Sequence, residues 1–217
     1  MLHATKVPAA ERVYREVKEQ ILTNAIAGGE LISEGEVAAQ CEVSRTPVRE
    51  AFLRLEAEGW MRLYPKRGAL VVPIGEREAA DVVDARLLFE EHAVRAVAAR
   101  ESRRTGLVEQ LRANLTAHRA ADPADIAEFS RLDAEFHQLI VTAGDNPLLA
   151  DFFRSLGERH RRMTTASVHR DHTVAGRILD DHRDLLAAID TGDADRFATA
   201  LADHLAGVHD LRGGARP

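Results

Sequence analysis

The sequence is short of cysteine and of long apolar runs, and each shortage excludes a class of protein. Cys41 is the single cysteine among 217 residues, which excludes an internal disulfide framework and fits a reducing compartment. No apolar run approaches the roughly 18 to 20 residues that a membrane-spanning helix needs. The N-terminal residues also lack the apolar segment of a secretory signal. We therefore expect a cytoplasmic protein without a membrane partner.

Positive charge is also scarce, because 29 Lys and Arg residues stand against 35 Asp and Glu residues, a net charge of −6. The deficit lies entirely after residue 74, since residues 1–74 carry ten charges of each sign. Within residues 44–67, six basic residues outnumber three acidic ones. A local basic surface, rather than the charge of the whole chain, is what contacts phosphates. The six cations are Arg45, Arg49, Arg54, Arg62, Lys66 and Arg67.

Residues 1–74 carry the pattern of a winged helix-turn-helix domain. Residues 10–26 repeat apolar side chains at helical spacing. Ser33 and Glu36 have the spacing of a capping box at the start of a second helix, and Ser44 is a suitable N-cap for a third helix. This order predicts a fold whose third helix enters the DNA major groove.

The third helix and the residues after it carry groups that could bind DNA. Three residues lie on the outer, leading face of this helix: Arg45, Thr46 and Arg49. The planar fork of arginine can bind guanine O6 and N7, or a phosphate, with two parallel hydrogen bonds. A β-hairpin is expected over residues 63–72, with two cations in its turn at residues 65–68. The alternative is that the arginines form only a solvated helix face.

The run SRTPVREAFLRLEAEG, residues 44–59, resembles the signature of the GntR family of bacterial transcription regulators. The resemblance covers about residues 10–74 and implies a winged helix-turn-helix with Gly68 at the wing tip. One departure is Gly35, at a position where some relatives carry a DNA-contacting arginine. With the cap and the wing cations included, the predicted DNA-binding residues are Ser44, Arg45, Thr46, Arg49, Lys66, Arg67 and Gly68.

The rest of the chain, residues 75–217, shows no β-like alternation and little glycine or proline, which predicts an all-α bundle of six or seven helices. The clearest breaks are Asp122-Pro123, residues 145–147 and residues 191–193. Six helices are expected near residues 76–103, 105–120, 123–144, 146–167, 172–191 and 193–211.

One aspartate and three of the nine histidines in this bundle have positions that suggest a metal site. Asp133 and His137 are four residues apart and therefore share a helical face. His182 and His204 each lie beside an apolar stripe. One Asp and three His on three helices could bind a divalent transition metal and leave coordination positions open. The alternative is that each histidine is structural or solvated. His160, His169 and His172 are treated as surface residues or pocket lining, and no role is given to His92, His118 or His209.

Residues 80–212 resemble the FCD effector domain of the FadR-like GntR subgroup. The matching runs are DARLLFEEHA, LDAEFH, GDNP, DHRDLLAAIDTGD and HL. In the metal-binding branch of that subgroup, the ligands correspond to Asp133, His137, His182 and His204. Zinc is the first choice of metal, with nickel or manganese as alternatives. The resemblance also implies that Arg86 faces the effector as a carboxylate clamp, with Glu90 as its partner. The alternative for Arg86 and Glu90 is a surface ion pair.

These patterns together predict a ligand-responsive transcription regulator, a repressor and not an enzyme. Residues 1–74 would read double-stranded operator DNA, and residues 75–217 would bind a metal and a small organic acid and form a homodimer. Three alternatives remain at this point. The protein could be a constitutive DNA-binding dimer with a structural second domain, a regulator for which the metal itself is the signal, or a metal-dependent hydrolase.

Overall fold

The computed structural model describes residues 7–122 and 124–210, and the chain divides into two compact units between Ile74 and Gly75. The ends of the two expected domains, residues 1–6 and 211–217, lie outside the described residues, as does Pro123. None of the helices described is long and apolar enough to cross a bilayer.

The first unit contains three helices and a small antiparallel sheet in the strand order β1-β3-β2. Its elements are α1 (Ala9–Leu22), β1 (Leu31–Ile32), α2 (Glu34–Gln40), α3 (Arg45–Ala57), β2 (Met61–Tyr64) and β3 (Gly68–Val71). The apolar stripe of α1 packs against the inner face of α3, and fully buried Phe52 lies in this core. This is the predicted winged helix-turn-helix.

A side-chain cap explains where one helix of this unit, α2, begins. The capping box of α2 is confirmed: the Ser33 hydroxyl accepts from the Glu36 N–H, and the Glu36 carboxylate accepts from the Ser33 N–H. Ser44 occupies the N-cap position of α3, but its side chain accepts no cap hydrogen bond. The first helix ends at Leu22, four residues earlier than expected, because Asn24 adopts a left-handed conformation with φ of 58°.

Strand β1 was not predicted from the sequence, and it changes the interpretation of Gly68. Ala69 pairs with Ile32 of β1, and Gly68 has a φ of 114°. A Cβ at Gly68 would overlap the carbonyl oxygen of Ile32, so only glycine fits there. Gly68 also pairs with Tyr64 as the last pair of the hairpin. The expectation of Gly68 at the wing tip is therefore wrong, since the tip is formed by residues 65–67.

The second unit contains six helices within the described residues, which agrees with the predicted all-α bundle. They are α4 (Glu76–Ala98), α5 (Glu101–Ala120), α6 (Ile126–Ala143), α7 (Pro147–Arg170), α8 (Thr173–Thr191) and α9 (Ala194–Val208). Helix α6 packs on α4, α5 and α7, and α9 packs on α4 and α8. The inward faces of α4, α6, α8 and α9 therefore meet inside one bundle.

Several helix boundaries in this unit coincide with local signals. The Asn146 side chain accepts from the Leu149 N–H at the start of α7, and Gly192 ends α8 with a φ of 73°. Asp125 caps α6, which begins at Ile126 rather than at residue 123. The expected end of α4 near residue 103 is wrong, because the chain breaks at Ala99 and Arg100, where neither glycine nor proline marks the turn.

Candidate functional site

The predicted DNA-binding residues of the first unit, called the basic surface below, are exposed except for Gly68, which is half-buried. Ser44, Arg45, Thr46 and Arg49 are exposed on the leading part of α3, and Lys66 and Arg67 are exposed at the hairpin tip. In the part of the chain that the structure describes, no side-chain hydrogen bond or ion pair occupies the four cations of this surface. Their charged groups are therefore available to an external anion.

Arg54 differs from the other arginines of α3. Its Nη1 lies 2.8 Å from Glu11 Oε2, its Nε lies 3.2 Å from Glu58 Oε1, and its guanidinium lies 3.6 Å from the centre of the Tyr14 ring. These contacts neutralise the charge and join α3 to α1. Arg54 thus connects α3 to α1 inside the first unit. It is one of the six cations of residues 44–67, but its charge is paired within the unit.

Gly35, the departure from the related sequences, lies directly beside Arg45. A Cβ at Gly35 would stand 3.4 Å from a terminal guanidinium nitrogen of Arg45. A larger side chain at position 35 would therefore contact the guanidinium of Arg45.

The second unit brings the four predicted metal ligands together. Asp133 and His137 come from α6, His182 from α8 and His204 from α9, and all four are buried. One ligand atom from each residue lies within 4.8 Å of the others. His182 Nε2 lies 3.2 Å from both His137 Nε2 and Asp133 Oδ1.

The two oxygens of Asp133 have different surroundings. Its Oδ2 accepts a hydrogen bond of 2.8 Å from the Thr164 hydroxyl and lies 3.0 Å from His160 Nε2. Its Oδ1 is buried and, although it lies 3.2 Å from His182 Nε2, it accepts no well-aligned hydrogen bond among the described residues. A buried carboxylate oxygen without a partner is costly, and a cation bound between Oδ1 and the imidazole nitrogens would satisfy it. The donor set therefore fits a divalent metal.

Carboxylates behind two of the imidazoles orient their rings. His137 Nδ1 lies 2.6 Å from Glu90 Oε2, and His204 Nδ1 lies 3.1 Å from Asp181 Oδ2. When these carboxylates are ionised they only accept, which assigns the proton to each Nδ1 and leaves the lone pair on each Nε2. The ring of His182 is fixed differently, by stacking on Phe136 with 4.0 Å between ring centres.

The electrostatic surroundings favour the protonation states that metal ligands need. Burial lowers the pKa of His204 to about 4 and holds the pKa of His137 well below its ordinary value. Burial raises the pKa of Asp133, but the charge of His160 and its hydrogen bond outweigh that effect and hold the pKa well below its ordinary value. Neutral imidazoles and an ionised carboxylate are the forms that bind a divalent cation.

Arg86 is fully buried, so the alternative of a surface ion pair with Glu90 is wrong. Its Nε donates a 2.9 Å hydrogen bond to Glu90 Oε1, and both side chains have no exposed surface. Its Nη1 and Nη2 are buried and have no hydrogen-bond partner among the residues that the structure describes. Burial raises the pKa of Glu90 to about 7, against the charge of Arg86. Two unpartnered nitrogens on a buried cation suit an anionic ligand.

Sequence reasoning missed the residues that support the ligands. His160 was expected at the surface or in a pocket lining; it is buried, which excludes the surface position, and its ring centre lies 5.4 Å from that of His137. The four-residue spacing of His160 and Thr164 was the available signal, because it places both on the α7 face that packs on α6. His118 and His209 are buried as well. The expectation of exposure is confirmed for His169 and His172.

Comparison with known proteins agrees with both halves of this description. Residues 9–71 match the family described as bacterial regulatory proteins, gntR family, and residues 81–207 match the FCD domain. The chain is 32% identical to an uncharacterised HTH-type transcriptional regulator in an unstable DNA locus of Streptomyces ambofaciens, over 91% of this chain and 82% of that protein. It is 30% identical to the HTH-type transcriptional repressor RspR of Escherichia coli K12, over 91% of this chain and 86% of that protein.

The fold is also shared with a solved structure. The Escherichia coli McbR/YncC structure superposes with a TM-score of 0.69 at 23% identity, over 95% of this chain and 97% of that one. Three findings lead to one conclusion: the exposed basic residues of α3, the Asp/His cluster inside the helical bundle, and the two matching family models. The chain belongs to the GntR family of bacterial regulatory proteins, carries an FCD domain after its winged helix-turn-helix, and is a DNA-binding transcription regulator.

Proposed function

We propose that this regulator is a repressor whose FCD domain binds a divalent metal and a small carboxylate effector. One observation carries the proposal: three imidazoles and one unpartnered carboxylate oxygen lie together in the same buried region as a guanidinium with two unpartnered nitrogens. Apolar packing alone does not account for such a group of buried polar atoms, because each unpartnered atom is costly.

The proposed metal ligands are Asp133 Oδ1 and one nitrogen each of His137, His182 and His204. Three nitrogens and one oxygen suit zinc first, and nickel or manganese as alternatives. A bound metal would supply positive charge and open coordination positions for an oxygen ligand. Glu90 and Asp181 would orient the ligand rings, and Thr164 would keep the second oxygen of Asp133 occupied.

The proposed effector is a small organic acid, and Arg86 is its clamp. The Nη1 and Nη2 atoms of Arg86 can form two parallel hydrogen bonds with one carboxylate. Glu90 holds the guanidinium through Nε and leaves these two nitrogens for the ligand. The acid must be small, because the surrounding side chains are buried.

The proposed DNA contacts are made by Ser44, Arg45, Thr46, Arg49, Lys66, Arg67 and the backbone near Gly68. Two chains, joined through residues 75–217, would bind a roughly palindromic operator, since one recognition helix reads few base pairs. An effector can change operator affinity only if it binds one arrangement of the dimer more tightly than another. The name of the related protein RspR, a transcriptional repressor, supports repression.

Metal content tests this proposal directly. Untagged protein is analysed by elemental mass spectrometry, beside His137→Ala, His182→Ala and, as a matched control, His169→Ala, an exposed histidine of α7. We expect about one divalent ion per chain in the wild type and in His169→Ala, and loss of the ion in the other two. A wild-type protein that takes up no zinc, nickel or manganese would contradict the metal site.

The effector is tested on the same protein. Operator binding is measured by fluorescence anisotropy while a panel of small organic acids is added to wild type and to Arg86→Met. A repressor should release DNA with at least one acid in the wild type and with none in the variant. An operator affinity that no acid changes would favour a constitutive DNA-binding dimer.

A further inference from the structure

Glu90 is shared between the proposed effector clamp and the proposed metal site. Its Oε1 accepts from Arg86 Nε at 2.9 Å, and its Oε2 accepts from His137 Nδ1 at 2.6 Å. All three side chains have no exposed surface. A single buried carboxylate therefore connects the guanidinium to a metal-ligand imidazole, and water has no access to replace either hydrogen bond.

We propose that Glu90 is a positioning residue that must accept two hydrogen bonds at once, one from the anion clamp and one from the metal ligand. The inference deepens the proposed function and rests on it. By accepting from Nδ1, Glu90 keeps His137 in the tautomer whose Nε2 lone pair faces Asp133 and His182. By accepting from Nε, it turns the two terminal nitrogens of Arg86 away from itself.

Only a carboxylate can satisfy both neighbours. A glutamine at position 90 has one acceptor oxygen and one amide group that only donates. If its oxygen faces Arg86, its amide donates to His137 Nδ1 and forces the proton onto Nε2, where it blocks metal binding. If its oxygen faces His137, two donors oppose each other at Arg86 Nε. The substitution therefore creates a conflict that does not depend on size, because Glu and Gln have the same shape.

Asp181, behind His204, provides a matched control. Its side chain is 28% exposed, and the same oxygen that accepts from His204 lies 3.8 Å from Arg177 Nε. An asparagine at this position can present its single oxygen to His204 and direct its amide toward solvent. Asp181→Asn therefore makes the same chemical change without the conflict.

The test measures zinc dissociation constants at pH 8 by competition with a chromophoric chelator. We expect Glu90→Gln to weaken zinc binding about 10- to 100-fold, and Asp181→Asn to weaken it less than about fivefold, because the asparagine oxygen can still accept from His204. Adding Arg86→Met to Glu90→Gln removes the competing donor, so the amide oxygen can turn to His137. The double variant should therefore bind zinc about tenfold more tightly than Glu90→Gln alone.

Three outcomes would overturn the inference. Equal zinc affinities for Glu90→Gln and Asp181→Asn would show that the second hydrogen bond of Glu90 is not needed, and a double variant as weak as Glu90→Gln would show that Arg86 is not the competitor. Both would leave the metal proposal standing if the wild type binds zinc. A wild type that binds no zinc would overturn the proposed function together with the inference.

A second measurement does not require any Glu90 variant to fold. Long-range ¹H–¹⁵N spectra of the metal-free wild type at pH 8 report the tautomer of His137, assigned by its loss in His137→Asn. We expect the proton on Nδ1 before zinc is added. A proton on Nε2 would overturn the positioning role, whatever the variants show.

Discussion

The two carboxylate oxygens of Asp133 have different neighbours in the buried site. Thr164 and His160 lie on the Oδ2 side of the carboxylate, while Oδ1 is left for the imidazoles of the candidate site. The position of Oδ1 therefore depends on a hydroxyl group that does not itself face the proposed metal.

Thr164→Val tests that dependence, because valine keeps the shape of threonine and removes the hydroxyl. We expect zinc affinity to fall about tenfold, since Asp133 loses the donor that fixes its orientation. The measurement is the same chelator competition, with Thr116→Val as control. The Thr116 hydroxyl is exposed and donates only to its own helix at 2.8 Å, so an equal loss in the two variants would contradict the role of Thr164.

His118 gives the metal-free protein a predictable dependence on pH. Burial lowers its pKa from the ordinary value of 6.5 to about 4, and neither ring nitrogen has a hydrogen-bond partner among the described residues. Between these two values the unfolded chain binds more protons than the folded one at this position. The free energy of unfolding therefore falls as the pH decreases from 6.5 toward 4.

The contribution of His118 to the pH dependence of stability is measured by urea denaturation of the wild type and of His118→Leu at several pH values, in the presence of a chelator. We expect the wild type to lose about 3 kcal/mol more than the variant between pH 6.5 and pH 4. Parallel pH profiles would show that His118 does not change its protonation on unfolding. Glu90 has the opposite sign, because its pKa is raised, and it contributes equally to both proteins.

The sequence predicts individual residues of the candidate site only where spacing within one helix is informative. Asp133 and His137 share a helical face by their spacing alone. The burial of His160 depends instead on how α7 packs against α6. Its four-residue spacing to Thr164 places the two side chains on one face of α7 but does not show which helix that face contacts. Arg86 is similar: its spacing to Glu90 is that of an exposed ion pair, and only the packing of α4 makes it a buried cation.

At the scale of elements, helix boundaries were predictable where a side chain caps the start of the helix or a glycine ends it. Ser33, Asn146 and Gly192 are signals of this kind, and the structure uses all three. The break at Ala99 carries no such signal. Strand β1 is two residues long and pairs with residues 69–70, far along the chain, so local periodicity could not reveal it.

Gly68→Ala should destabilise the first unit through this strand. Its φ of 114° disfavours any L side chain, and the new Cβ would overlap the Ile32 carbonyl, so we expect a loss of about 2 kcal/mol or more. Urea unfolding is followed by the fluorescence of Trp60, the single tryptophan of the chain and a core residue of this unit.

Gly35→Ala in the same unit is the matched control for Gly68→Ala. Gly35 lies in helix α2, and its added Cβ would only approach the flexible end of Arg45. We expect an unchanged or slightly higher free energy of unfolding, by up to about 1 kcal/mol. If both variants lost stability equally, the close approach of β1 to Gly68 would not be the cause.

At the scale of the whole molecule, the distribution of charge matters more than its sum. The net charge of −6 belongs to residues 75–217, whereas residues 1–74 carry equal numbers of both signs and leave Arg45, Arg49, Lys66 and Arg67 exposed without an ion pair among the described residues. A substitution in the proposed DNA site should therefore change operator binding without changing metal content, and a substitution in the proposed metal site should do the reverse, because the two sites share no residue.

Arg49→Ala should weaken operator binding by about 1–3 kcal/mol and leave metal content unchanged. His182→Ala should remove the metal while the intrinsic fold of the first unit is retained. Anisotropy titrations and elemental analysis of both variants measure the two effects. Arg54→Ala is the control for charge on α3, since its ion pairs keep it from the DNA surface. Operator binding weakened as much by Arg54→Ala as by Arg49→Ala would contradict the assigned surface.

The pairing of β3 with β1 has a consequence for the thermodynamics of recognition. Because Ile32 immediately precedes the cap of α2, the hairpin that carries Lys66 and Arg67 is joined by backbone hydrogen bonds to the start of the helix-turn-helix. Hairpin and helices thus meet DNA as one preorganised body. The hairpin and the helices therefore have little conformational entropy left to lose on the operator, and the heat-capacity change of binding should contain no contribution from folding of the hairpin.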